Sequence, residues 1–147
     1  MARVIVTRSI QAPPGVVFET VADIRRFSQA IPEITKVEML SEVTSGAGTR
    51  FRQTRLMHGK ETATELQVTE YVPNERVRIV ADSHGTVWDT LFTIAASPPS
   101  TALTMRMEAK AYRLLPRILN PLICGLIKKT VERDMDAVKS FCEKRQG

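Results

Sequence analysis

The residues best suited to chemistry in this 147-residue chain are Gln53 and Arg55. Strand-like alternation over 49–57 puts Phe51, Gln53, Arg55 and Met57 on one face, against Arg50, Arg52, Thr54 and Leu56 on the other. If Phe51 points into a core, Gln53 and Arg55 follow it. A buried guanidinium is costly without a partner. It would need a carboxylate of the chain, or an anionic or carbonyl group of a ligand. Glu65 and Glu70, on the next strand, are the internal candidates. The pair reads as an anchor for the polar end of an otherwise apolar molecule. A bulge or twist that turns Arg55 to solvent is the alternative, and alternation alone leaves both open.

Other chemistries find little support. His58 and His84 each precede a glycine in a turn, with no acid spaced to complete a metal site. There is no G-x-S-x-G, no acid placed to orient either histidine, and no P-loop or dinucleotide fingerprint. Cys124 and Cys142 fall 18 residues apart on one expected helix, roughly 27 Å at 1.5 Å per residue. That is too far for a disulfide. Both read as free, core-like thiols, compatible with a reducing cytoplasm. We therefore expect no catalytic residue, no metal and no cofactor. The chain carries 21 Lys and Arg against 16 Asp and Glu, a net charge of +5. Its 14 arginines are scattered over many strands and aromatics make up only 5%, so nucleic acid is not an expected partner.

The elements that would position these residues are readable. Residues 3–11 are β-branched and alternate, a strand. Pro13-Pro14 suits helix entry, and Val17, Val21 and Ile24 recur at helical spacing. Asp23 ends this helix and caps a second, Ile24–Ile31, which Pro32 closes. Strands follow over 34–42, 49–57, 60–72, 75–82, 86–95 and 101–112, separated by short Gly-, Pro- or Asn-containing turns. A long helix over about 121–144 ends the chain, with Val131, Met135, Val138 and Cys142 as its apolar stripe. Glu132, Asp134, Asp136, Lys139 and Glu143 are expected mostly off that stripe. This order predicts one α+β domain over residues 1–147. Its seven-stranded antiparallel sheet would curl around the long helix. Alternation turns Trp88, Thr90, Phe92 and Ile94 inward on the sixth strand, and Leu103, Met105 and Met107 on the seventh. Trp and Met there suit an apolar ligand or a dry core. The N-terminus has no signal-peptide pattern, and the most apolar stretch, 111–127, is interrupted by two arginines and two prolines. Cytoplasmic location is the expectation.

Five segments carry a resemblance. Ile10-Gln-Ala-Pro-Pro-Gly-Val-Val-Phe18 opens it, followed by Val21-Ala-Asp-Ile-Arg-Arg-Phe27, Gly46-Ala-Gly-Thr-Arg-Phe51, Val68-Thr-Glu-Tyr-Val-Pro73 and Ser100-Thr-Ala-Leu-Thr104. In this order, ahead of a long terminal helix, they resemble the START-like, Bet v 1-like superfamily. That superfamily includes the polyketide cyclase/dehydrase and coenzyme Q-binding families. Ser100 stands where glycine is usual. The resemblance spans nearly the whole chain and implies a helix-grip fold with a cavity between sheet and helix. It implies binding of a lipid, isoprenoid or polyketide, as a carrier or sensor. The alternatives are a polyketide cyclase/aromatase-type enzyme and a membrane-associated lipid or quinone accessory factor. The expected ligand contacts are Phe51, Gln53, Arg55, Trp88, Thr90, Phe92, Leu103, Met105 and Met107. Tyr112, Leu119, Ile123 and Ile127 join them because the resemblance puts the approach to the last helix at the cavity mouth. For a cyclase, Arg55, Gln53, Thr90 and Tyr112 are the recruitable polar groups, none of them diagnostic.

Residues 109–130 carry five basic side chains and no acid: Lys110, Arg113, Arg117, Lys128 and Lys129. They flank a broad apolar surface. Such a segment is buried on several sides, pairs with a second copy of the chain as a homodimer, or meets a membrane. Arg113, Arg117, Lys128 and Lys129 are the expected contacts to an anionic membrane.

Overall fold

The computed structural model describes residues 2–57, 59–83, 85–111 and 121–146, apart from the side chains of 2, 57, 111, 121–124 and 146. Strand β1 (Ala2–Ile10) leads to helices α1 (Pro14–Ala22) and α2 (Ile24–Ala30). Strands β2 (Ile34–Met39), β3 (Arg50–Met57), β4 (Lys60–Val72), β5 (Arg76–Ser83), β6 (Thr86–Ser97) and β7 (Ser100–Ala111) follow. Helix α3 (Pro121–Gln146) ends the chain. Pro14 occupies the first turn of α1, where its missing N–H costs nothing. Asp23 caps α2 by accepting from the Arg25 N–H at 2.9 Å.

The seven strands form one antiparallel sheet in the order β1-β7-β6-β5-β4-β3-β2. Every pairing joins neighbours in sequence except β1 with β7. Short turns dictate the former, and α1 with α2 carries the chain between the sheet's two edge strands. Two contacts show how far the sheet curls. Arg8 of β1 bonds Asp136, and Arg55 of β3 bonds Asp134, both on α3. Laid flat, β1 and β3 would sit about 24 Å apart, at roughly 4.8 Å per strand spacing. A helix only about 10–12 Å across touches both, so the sheet wraps it.

The core lies inside this wrap. Val131, Met135, Val138 and Cys142 are buried, as the apolar stripe predicts, against Val4, Val6 and Ile10 of β1, Leu103 and Met105 of β7, and Val17 and Val21 of α1. Three polar contacts seam α3 to the β1 end: Arg8 to Asp136 at 2.7 Å, Lys139 to the Ser9 carbonyl at 2.8 Å, and the Gln11 N–H to Glu143 at 2.9 Å. Cys142 is a free, buried thiol whose Sγ lies 3.4 Å from the Thr20 hydroxyl of α1. Burial pushes its pKa up, which keeps it a thiol. Among the described residues, no helix is long and apolar enough to cross a membrane.

Candidate functional site

A cavity of about 110 Å³ lies between the concave sheet face and helices α2 and α3. Its walls follow from pairing register. Phe51 stands opposite Leu66 across β3 and β4, and Val68 opposite Ile79 across β4 and β5. Ile79 faces Thr90, and Thr90 faces Met107. These side chains form a mainly apolar floor, with Phe92 and Met105 continuing it. Phe27 of α2 closes one side, its ring edge-to-face with Phe92 at 6.1 Å between centroids.

The rim beside β3 is the 40–49 loop. Gly46 and Gly48 take φ of +84° and +95°, a region that side chains resist. The turn is held by the Gly48 N–H to the Val68 carbonyl at 2.8 Å and the Thr49 hydroxyl to the Gly46 carbonyl at 2.7 Å. It brings Thr44, Ser45 and Thr49 to the cavity.

Arg55 points inward, in register with Phe51 and Gln53, and its side chain is only 18% exposed. Its partner is neither Glu65 nor Glu70, which corrects the expectation. Glu65 pairs with Arg52, and Glu70 with Arg76 and Arg78. Arg55 reaches across the cavity to Asp134 of α3. Both terminal nitrogens donate to it, Nη1 to Oδ1 and Nη2 to Oδ2, each at 3.1 Å. Glu33, between α2 and β2, approaches Arg55 Nη1 at 3.6 Å and Arg133 Nη2 at 3.8 Å. The Leu56 N–H donates to the Glu33 carbonyl at 2.8 Å, fixing that residue beside Arg55. The cluster is thus two guanidiniums and two carboxylates. Burial raises the Asp134 carboxyl above the usual range, and Glu33 adds to this. Arg55 and Arg133 oppose it without cancelling it.

Asp134 therefore does not lie off the apolar face, as the exposed Arg133 and Asp136 do; it is buried. A helical projection carries the signal that finds it. At about 100° per residue, Asp134 falls about 40° from Val138, within the apolar arc. Asp136 falls about 200° further round.

Gln53 of β3 and Thr90 of β6 face the same cavity from the sheet. Neither side chain makes a hydrogen bond to a described residue. Both residues are only partly buried, so solvent or a ligand can serve these groups.

A second, more open cleft of about 920 Å³ lies beyond the ion pair, along α3. Trp88, Leu126, Ile127 and Lys129 border it. Arg55, Met107 and Asp134 border both cavities.

The family described as polyketide cyclase / dehydrase and lipid transport matches residues 1–143. The chain belongs to this family. Its fold recurs in solved structures. A protein from Thermus thermophilus aligns with a TM-score of 0.81 at 18% identity, over 99% of each chain. A START superfamily protein from Mycobacterium smegmatis gives 0.81 at 19%, over 98% of this chain and 99% of that one. The di-domain ARO/CYC StfQ, from the steffimycin biosynthetic pathway, gives 0.71 at 13%, over 99% of this chain and 52% of its own. These likenesses establish the helix-grip, Bet v 1-like fold, with its seven-stranded sheet around a long C-terminal helix and two short helices after the first strand. No curated protein matches the chain.

Within this family fold, Phe51, Gln53, Arg55, Thr90, Phe92, Met105 and Met107 converge on the inner cavity. Trp88 and Ile127 lie on the outer cleft instead. Leu103 is fully buried in the core and borders neither. Lys128 and Lys129 are exposed on the first turns of α3, beside Leu126, which is 59% exposed. Tyr112, Leu119, Arg113 and Arg117 lie outside the described residues, as does the side chain of Ile123. Among the described residues, no group of three or more His, Cys, Asp or Glu could hold a metal ion.

Proposed function

We propose that this protein binds a hydrophobic or amphipathic small molecule, such as a lipid, isoprenoid or polyketide, between its sheet and α3. Membership of a cyclase, dehydrase and lipid transport family supports this class of ligand. The observation that carries the reading is the pairing of an apolar cavity with Gln53 and Thr90, two polar groups on it that no described residue satisfies. The apolar body would lie against Phe51, Phe92 and Met105, its burial contributing about 25 cal/mol per Å² before ordering costs. Gln53 and Arg55 would take the polar end. The first test is native mass spectrometry of freshly purified protein, followed by organic extraction. A stoichiometric lipid, isoprenoid or polyketide is expected. Met105→Trp fills the cavity and should abolish uptake with the fold intact by circular dichroism. Undiminished uptake by that variant would put the ligand elsewhere.

A second reading has its own observation. Asp134 is a buried carboxyl with a raised pKa on a cavity wall beside a guanidinium, the environment of a proton-transfer group. In a polyketide cyclase/dehydrase-type reaction it would move protons while Arg55 polarises a carbonyl. Incubation with a linear poly-β-ketone thioester separates the readings. Cyclised product that disappears in Asp134→Asn favours the enzyme, and unchanged substrate favours the binder.

A further inference from the structure

The inner cavity of about 110 Å³ falls below the roughly 300–1,000 Å³ usual for small-molecule sites. The outer cleft, at about 920 Å³, is large enough but open. Their shared wall is Met107 and the Arg55–Asp134 pair. Met107 is flexible and adapts to what it touches. The ion pair is the fixed part of the wall.

We propose that the Arg55–Asp134 pair is a latch between the two chambers, opened by a ligand carboxylate that replaces Asp134 on Arg55, so that the preferred ligand is an amphipathic acid. This rests on the binding reading and specifies its ligand class. The guanidinium already presents its fork to a carboxylate on the wall of the cavity. A ligand carboxylate reproduces both bonds. An alcohol, ketone or ester offers one neutral acceptor, a weaker partner that cannot displace an ionised one. The exchange balances as a proton uptake. Ionised ligand, paired Asp134 and one proton go in; Arg55-bound ligand carboxylate and neutral Asp134 come out. Other charged groups around Asp134 favour this outcome only in part. Glu33, from the turn before β2, promotes protonation of Asp134 but, lying 3.6 Å from Arg55, also repels the incoming carboxylate, while Arg133 on α3 opposes the protonation. Once Asp134 lets go, Met107 remains as the soft part of the wall, and the ligand chain runs through the joined space.

The test uses the full chain with neutral Nile red as the cavity probe, displaced by decanoate, 1-decanol or methyl decanoate. Decanoate should displace Nile red at least about tenfold more effectively than either neutral analogue, a difference of about 1.4 kcal/mol. The advantage should grow as pH falls from 8 to 6, where decanoate stays ionised. Arg55→Gln should erase the preference for decanoate over the neutral analogues. Asp134→Asn should bind decanoate more tightly and without the pH trend. If Asp134→Asn does not fold, calorimetry of the unaltered protein in two buffers of different ionisation enthalpy decides. Net proton uptake with decanoate supports the latch, and none overturns it. Nile red bound with no preference for the acid sinks the latch but leaves the binding reading standing. Failure to take up either Nile red or decanoate removes the binding reading, and the latch with it.

Discussion

Helix α3 grips the sheet through two Asp–Arg pairs only two residues apart, and they behave as opposites. Asp136 bonds Arg8 of β1 through one nitrogen at 2.7 Å, with the carboxylate side chain 63% exposed. Asp134 bonds Arg55 of β3 through two nitrogens at 3.1 Å each, with its side chain 9% exposed. The two carboxylates project about 160° apart around the helix, so one meets solvent and the other the cavity. The outer pair strengthens the arginine's charge at little desolvation cost; its bond to Asp136 raises the Arg8 pKa. In the inner pair, desolvation wins, and the Asp134 pKa rises despite two bonds to a cation. Identical chemistry therefore serves as a surface clamp in one place and as a desolvated contact on the cavity wall in the other.

The comparison breaks most directly by truncation. Asp134→Ala leaves a largely buried guanidinium with only the longer contact to Glu33, and should cost about 3 kcal/mol. Asp136→Ala should cost under about 1 kcal/mol. Urea unfolding of the two variants checks this, and equal losses would mean that burial does not distinguish the pairs.

A pH series sharpens it. Because the Asp134 pKa is raised on folding, between the unfolded and folded pKa the native state keeps a proton that the unfolded chain has already released. Stability from this group is fully present below the unfolded carboxyl pKa and is lost as pH rises through the folded one. Asp134→Asn should remove that falling component from the stability profile above pH 4. Asp136→Asn should leave it in place. A wild-type profile superimposable on that of Asp134→Asn would show that Asp134 titrates normally.

The sequence made one half of this arrangement legible and hid the other. Strand boundaries fell within a few residues because turn glycines and prolines punctuate nearly every hairpin, and Asp23 marked the joint between α1 and α2 through its capping chemistry. Alternation from Phe51 carried Gln53 and Arg55 to the inner face. Asp134 was missed for two reasons. It is 79 residues from Arg55, so no local spacing links them. It also sits among Glu132, Arg133 and Asp136, where a charge reads as solvated unless its angle to the apolar stripe is computed. Local pattern assigns each face, whereas the curl of the sheet decides which faces meet. The same limit explains Trp88 and Thr90. Both alternate inward on β6, yet they fall in different chambers, because the Arg55–Asp134 pair stands between those chambers.

The smallest expected effect is the most informative about why the inner pair exists. Replacing both partners, Arg55→Met with Asp134→Leu, removes two desolvated charges together and fills their space with apolar atoms. Buried pairs replaced in this way are often neutral or more stable. Arg55 also contacts Glu33, so that carboxylate would keep only its weaker contact to Arg133, which is at the surface. A net change within about 1 kcal/mol of zero is therefore expected in urea unfolding. Nile red uptake should persist and the decanoate preference should vanish. That combination would mean the pair is kept for recognition and contributes little to the fold. A loss as large as that of Asp134→Ala alone would instead make the pair a structural keystone of the α3–β3 contact. The contrast with Asp136 would then be one of strength and not of role.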